Sequence, residues 1–134
     1  MNITELWEEL SKLPNAEKRD VYLHIYKRDG SHTERSVHDW CSYRGYYEHV
    51  ALCPISVDSP LRLKTLASLI ALLESIPGKT MDGWKGGEYI ATNHKPLWIA
   101  DEGECSEVQP VFIQTYRREG ITDVYIVCAP IQTY

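Results

Sequence analysis

The 134-residue sequence has no closely spaced pair of cysteines. Its four cysteines are scattered along the chain: Cys41, Cys53, Cys105 and Cys128. Without a C-x-x-C motif, neither a structural zinc site nor a thioredoxin-like redox centre is predicted. We interpret the cysteines as buried free thiols of a protein in a reducing cytoplasm. No apolar run reaches about 18 residues, and residues 2–12 are acidic and amphipathic, which argues against membrane insertion and a signal peptide.

Positive charge is also scarce. Lys and Arg together number 14 against 19 Asp and Glu, giving a formal net charge of −5. A protein that binds duplex nucleic acid normally presents a basic field to the phosphates, so we predict no duplex partner. A local basic pocket for a small anion is compatible with this composition.

Motifs for catalysis and metal binding are missing. There is no nucleophile elbow, no H-E-x-x-H motif and no convincing carboxylate dyad. Three histidines on predicted strands, His24, His32 and His38, lack the spacing that would pre-organise a metal site. Gly78-Lys79-Thr80 resembles the end of a P-loop, but position 73 is leucine where that motif requires glycine. We therefore predict a protein without enzyme activity, cofactor or metal.

The pattern of elements predicts one α+β domain over residues 1–134. Asn2 and Glu5 predict a helix that runs to about Leu13, and a second helix is predicted from Asp58-Ser59-Pro60 to the stop at Pro77-Gly78. Strands are predicted at 20–27, 31–41, 49–55, 88–92, 97–100, 108–117 and 122–129. Apolar residues alternate in the first, whereas 31–41 is unusually polar, as expected of an edge strand or of a surface strand that faces a ligand. This order favours an antiparallel sheet with an N-terminal helix and one longer amphipathic helix packed on it.

The stretch 78–89 holds four of the eight glycines. Glycines expose backbone N–H groups to an anion, Trp84 and Tyr89 offer flat surfaces for a base, and Lys85 adds a positive charge. Gly86 and Gly87 complete this candidate binding turn. A tight turn whose aromatic rings pack into the core explains the same residues equally well.

Two arginines are further candidates. Arg44 lies among three tyrosines in the stretch 42–48 and can bind a phosphate bidentately, although an arginine packed on tyrosines at a surface fits as well. Arg118, in the last predicted hairpin, offers another anion contact. Adjacent strand residues point to opposite faces, so at most one of Arg117 and Arg118 joins a given pocket. A solvated charge at the turn is the favoured interpretation there.

Four segments together resemble a pattern of small phage and prophage proteins: 43–47 (YRGYY), 78–79 (GK), 83–89 (GWKGGEY) and 96–101 (PLWIAD). They span roughly the last two-thirds of the chain. Within this group the chain is similar to the phage anti-Thoeris sponge family, whose members bind cyclic ADP-ribose-type immune signals without hydrolysing them. The resemblance implies action in the host cytoplasm, a homo-oligomer, and pockets shared between subunits. Related sponges capture cyclic oligonucleotides, and the polar residues 92–95 depart from the pattern and leave the ligand open.

The function we expect is therefore sequestration of a cyclic nucleotide signal. A ring would stack on the adenine, cations would bind the phosphates, and Asp101 would accept ribose hydroxyls. The predicted ligand-binding residues are Arg44, Trp84, Lys85, Gly86, Gly87, Tyr89, Asp101 and Arg118. The alternative is an inhibitor that binds a host defence protein directly, because arginine and exposed aromatic residues are also enriched at protein interfaces.

Overall fold

The computed structural model describes residues 1–43, 46–82, 87–100 and 108–130. The helices are α1 (Ile3–Ser11) and α2 (Leu66–Ser75), with a short 3-10 helix at Ala16–Lys18. The strands are β1 (Val21–Tyr26), β2 (His32–Tyr43), β3 (Tyr46–Ile55), β4 (Thr80–Asp82), β5 (Glu88–Ile90), β6 (Trp98–Ile99), β7 (Val108–Arg118) and β8 (Ile121–Pro130). Neither helix of the described ranges is long and apolar enough to cross a membrane.

Six of the strands form one mixed sheet in the order β6-β3-β2-β1-β8-β7, and β4 pairs with β5 in a separate hairpin. The α+β class predicted from the sequence is confirmed. The sheet, however, is not purely antiparallel, because β1 pairs with β8 and β3 pairs with β6 in parallel. Strands that lie far apart in the sequence can pair in parallel or antiparallel, and local sequence patterns do not determine which of the two occurs.

The sheet is strongly curved. Its edge strands β6 and β7 approach each other, whereas the edges of a flat six-stranded sheet would lie about 24 Å apart. Met1 lies between them: its carbonyl accepts from Leu97 N at 3.0 Å, and its nitrogen donates to Pro110 O at 2.9 Å. Phe112 and Tyr116 on β7 remain exposed, so the face that carries them is the convex one.

The concave face holds the hydrophobic core. Val21 and Leu23 of β1 are fully buried there beside Val124 and Ile126 of β8. Both helices contribute to the same cluster through Leu6, Leu10, Leu69 and Leu73. Burial of such a side chain stabilises the fold by about 1.5–3 kcal/mol, so this face carries most of the hydrophobic stabilisation.

Helix α1 begins as its sequence predicts. Asn2 Oδ1 accepts from Glu5 N at 2.8 Å, and Glu5 Oε1 accepts from Asn2 N at 3.0 Å. This reciprocal capping box satisfies two backbone donors that the first turn leaves without helical partners.

Helix α2 begins at Leu66, so the predicted start at residues 58–60 is wrong. Residues 63 and 64 are instead hydrogen-bonded to other parts of the chain: Leu63 N donates to Val37 O at 2.7 Å, and Lys64 O accepts from Val21 N at 3.1 Å. The capping residue is Thr65, whose Oγ1 accepts from Ser68 N at 3.2 Å. Tertiary hydrogen bonds therefore override the local helix-start signal.

Candidate functional site

The predicted binding residues fall into two groups. Outside the described residues lie Arg44, Trp84, Lys85, Gly86 and Asp101. Gly87 and Tyr89 lie on the second half of the β4–β5 hairpin, and Arg118 ends β7, where its backbone pairs with Ile121. The structure therefore describes the surroundings of the predicted site mainly at this hairpin.

The β4–β5 hairpin follows directly from the end of α2. Gly78 adopts a φ of +89°, a left-handed conformation that favours glycine, and its N–H donates to Ala91 O at 2.9 Å. Met81 pairs with Tyr89, and the Met81 side chain is buried in the core. The Tyr89 side chain keeps 36% of its surface exposed and that of its neighbour Ile90 keeps 66%. Met81 thus anchors a hairpin that presents a partly exposed ring.

This hairpin contacts both β2 and β3. Because β2 ends at Tyr43 and β3 begins at Tyr46, these strands flank Arg44. The β4–β5 hairpin is therefore a neighbour of the two strands between which Arg44 stands in the sequence. Arg118 ends β7, the opposite edge strand of the sheet, which the curvature of the sheet brings close to β6, the neighbour of β3.

A second surface is the convex side of the sheet, where aromatic and imidazole rings cluster on adjacent strands. The register places Tyr22 beside Tyr125 and Tyr26 beside His32. We call this surface the aromatic face; it consists of Tyr22, His24, Tyr26, His32, Phe112, Tyr116 and Tyr125.

Ring contacts link most residues of the aromatic face. Tyr22 and Tyr125 are stacked with centroids 5.2 Å apart, and Tyr116 meets Tyr125 edge-on at 5.0 Å. His24 lies 4.5 Å from His32. Phe112 and Tyr116 nevertheless remain 45% and 51% exposed. A cluster of exposed large side chains on a sheet face is typical of an interaction surface.

Arg62 covers one corner of the aromatic face. Its guanidinium carbon lies 5.6 Å from the Tyr22 ring centroid, and its Nη2 lies 3.9 Å from Asp20 Oδ2. Its Nη1 donates to Ser36 Oγ at 3.5 Å. Burial and the Asp20 carboxylate raise the pKa of Tyr22, whereas the Arg62 charge opposes them. Arg62 is thus held by contacts within the chain.

A groove of about 380 Å³ adjoins this corner. It is lined by Glu17, Lys18, Asp20, Lys64, Thr65, Glu119 and Asp123. Its lining has four carboxylates and only two ammonium groups, so its negative charge disfavours binding of a phosphate. Across the described ranges, no group of three His, Cys, Asp or Glu side chains is arranged to hold a metal ion. The groove therefore supports neither kind of site.

The cysteines that the structure describes, Cys41, Cys53 and Cys128, are free thiols. Cys128 is buried, and burial raises its pKa. Cys41 and Cys53 are only half-buried, which corrects the interpretation of these two as buried, and their sulfurs lie 3.2 Å apart. The Cys53 thiol donates to Cys41 Sγ, which lowers the pKa of Cys41 and raises that of Cys53. The spacing of the cysteines in the sequence gave no signal for this pair.

No model of a known protein family matches the chain, and no curated protein or solved structure matches it either. Function must therefore be inferred from the residues and surfaces of the molecule itself.

Proposed function

We propose that the protein binds a cyclic nucleotide signal, a cyclic ADP-ribose isomer or a cyclic oligonucleotide, and holds it without cleaving it. The observation that supports this is the contact of the β4–β5 hairpin with β2 and β3, the strands that flank Arg44. Glycine N–H groups and an arginine guanidinium are both suited to phosphate oxygens. Tyr89 adds a partly exposed ring on which a base can stack.

Sequestration requires affinity and no chemistry. A signal present at nanomolar to micromolar concentration must be bound with about −8 to −12 kcal/mol. Stacking of a base on an aromatic ring supplies about 1–3 kcal/mol of this, and charge-assisted hydrogen bonds to phosphate add to it. In the proposal, Trp84 joins Tyr89 in stacking, Lys85 and Arg118 join Arg44 on phosphate, and Asp101 binds ribose.

The same proposal includes the biological setting that the family resemblance implies. The protein acts in the host cytoplasm as a homo-oligomer, with each pocket formed within one subunit or between two. It removes the signal from solution, and the signal remains chemically unchanged.

The direct test is to incubate the protein with cyclic ADP-ribose isomers and with cyclic di- and trinucleotides. A ligand at 100 times its Kd should stabilise the fold by about 2.7 kcal/mol, seen as a rise in Tm. Heating the complex should then release a molecule of unchanged mass, measured by mass spectrometry. If none of these nucleotides raises Tm at high micromolar concentration, the proposal is wrong. A released molecule of altered mass would instead indicate an enzyme.

The hairpin can be tested separately with Tyr89→Ala. Loss of one stacking contact worth about 1–3 kcal/mol should weaken nucleotide binding roughly 5- to 150-fold, measured by calorimetry. Ile90→Ala is the matched control, because Ile90 is the next residue of β5 and is more exposed. Its side chain points to the other face of the strand, so less than about a twofold change is expected. If the two variants reduce the affinity for the nucleotide equally, Tyr89 is not part of the binding site.

A second candidate function is direct inhibition of a host defence protein. The observation that favours it is the aromatic face, where Phe112 and Tyr116 are exposed and Tyr116 meets Tyr125 edge-on. A pull-down with the intact chain should then recover one stoichiometric host protein, and the double variant Phe112→Ser/Tyr116→Ser should lose it. Nucleotide binding that persists in this variant would separate the two functions. Recovery unchanged by the double variant would contradict a role for this face.

A further inference from the structure

Cys41 and Cys53 are diagonal neighbours on adjacent antiparallel strands. Cys41 on β2 pairs with Ala51, whereas Cys53 on β3 pairs with Asp39, so both side chains point to the same side of the sheet. Their sulfurs are 3.2 Å apart. A disulfide bond is about 2.05 Å long, so the two sulfurs must approach by only about 1.2 Å to form one.

Burial also separates this pair from Cys128. Each side chain is half-buried rather than enclosed. Cys128 differs, because it is fully buried on the opposite, core side of the sheet. Susceptibility of a cysteine to oxidation follows exposure and thiolate character, so the pair and Cys128 should react very differently.

We propose that Cys41 and Cys53 are a reversible redox modification site, at which a disulfide oxidant such as oxidised glutathione links the two strands by an intramolecular disulfide. This inference is independent of the ligand that the protein binds. It concerns the convex side of the sheet, where Cys41 packs against the small buried cluster of Ala51 and Trp98.

The reaction is a two-step exchange. The Cys41 thiolate attacks one sulfur of oxidised glutathione, forming a mixed disulfide and expelling one glutathione thiolate, which takes up a proton. Cys53 then loses its proton and attacks the Cys41 sulfur, and the second glutathione leaves. Two protein thiols are thereby oxidised by two electrons, and one oxidised glutathione is reduced to two thiols. Cys41 is the first nucleophile because the hydrogen bond from Cys53 favours its thiolate.

The bond would enclose residues 42–52. In the sequence this segment runs from the end of β2 to β3 and includes Arg44, and its last residues lie beside the register shift between Val37 and Asp39. Closing a loop restricts the unfolded chain more than the folded one, so the oxidised protein should unfold at a higher Tm than the reduced protein.

The test uses the intact chain in glutathione buffers of graded redox ratio, quenched with N-ethylmaleimide and mapped by mass spectrometry without reduction. The expected result is a peptide pair linked through Cys41 and Cys53, with a mass about 2 Da below the sum of the two unmodified peptides, for the two thiol hydrogens lost. Dithiothreitol should reverse both. Stable glutathione adducts without the link, a link through Cys105, or unreacted thiols even in fully oxidised glutathione would each overturn the proposal.

Cysteine substitutions test which residues form the disulfide. Cys41→Ser and Cys53→Ser should each abolish the intramolecular link, whereas Cys128→Ala should keep it. The mapping of the unsubstituted protein stands even if one variant folds poorly. Because the readout is a cross-link and not ligand binding, failure of this inference leaves the proposed nucleotide function untouched, and the reverse also holds.

Discussion

The concave and convex faces of the sheet are built from alternate residues of the same strands, yet they differ in every physical respect. On β1, Val21 and Leu23 point into the core, whereas Tyr22 and His24 point outward into the aromatic face. The concave face is apolar and covered. The convex face carries rings, carboxylates and thiols, and Phe112 and Tyr116 on it are exposed. The difference indicates that most of the hydrophobic stabilisation comes from one face, while the part of the other face around Phe112 and Tyr116 is exposed to solvent.

The largest effect expected from this contrast is the loss of a core side chain. Leu69→Ala removes a fully buried residue of α2 and should lower the free energy of unfolding by about 2–5 kcal/mol. The matched change on the convex face, Phe112→Ala, should lower it by less than about 1 kcal/mol. Urea unfolding of both variants measures the two values.

An equal loss of unfolding free energy in these two variants would contradict the proposed difference between the two faces. They would show that Phe112 is covered in solution, for example by a second copy of the chain. In that case the cost of Phe112→Ala should depend on protein concentration, because subunit association contributes to stability by mass action.

An intermediate effect is expected at the corner where the aromatic face is partly covered. Arg62→Met removes the partner of Asp20 and the cation above Tyr22, and should lower the free energy of unfolding by about 1–2 kcal/mol. Lys64→Met is the control, since it removes the same charge from an exposed position of the same segment. A loss no greater than that of Lys64→Met would show that the Arg62 contacts contribute little in solution.

The smallest effect is expected at alkaline pH. The pKa of Tyr22 is raised in the folded protein, so the folded state keeps this proton more tightly than the unfolded state. The contribution is complete below the ordinary tyrosine pKa of about 10 and is lost as pH rises through the folded value. Stability of the unsubstituted protein should therefore fall more steeply above pH 10 than that of Tyr22→Phe, measured by urea midpoints. Tyr116→Phe controls for loss of a hydroxyl, and identical pH profiles for the Tyr22 variant and the unsubstituted protein would contradict the assignment.

The sequence patterns correctly predicted the helix and strands whose formation depends mainly on residues close together in the sequence. The capping pair Asn2 and Glu5 marked the start of α1, and alternation along residues 108–117 and 122–129 predicted the final hairpin. Large side chains on both faces of β1 were visible in the sequence as well. The partner of β1 was not, because β8 lies far along the chain and its parallel pairing depends on the assembled core.

The thiol pair shows why a site can escape such reasoning. Tyr43 pairs with Tyr46, and a regular hairpin continued from that pair would set Cys41 opposite Glu48. A register shift between Ser42 and Tyr43 instead sets Cys41 opposite Ala51, which brings Cys53 within reach. Nothing in the cysteine spacing predicts that irregularity. The predicted nucleotide contacts remain a prediction, of which only Gly87, Tyr89 and the Arg118 backbone are described.

The position of β8 between β1 and β7 has a consequence for biosynthesis. Val21 pairs with Val124, roughly a hundred residues later in the chain, so one side of β1 has no partner until the last hairpin has been made. Pairings this distant in sequence slow folding and leave strand edges exposed meanwhile. During translation the nascent chain should therefore need protection from aggregation until residues 121–130 have left the ribosome.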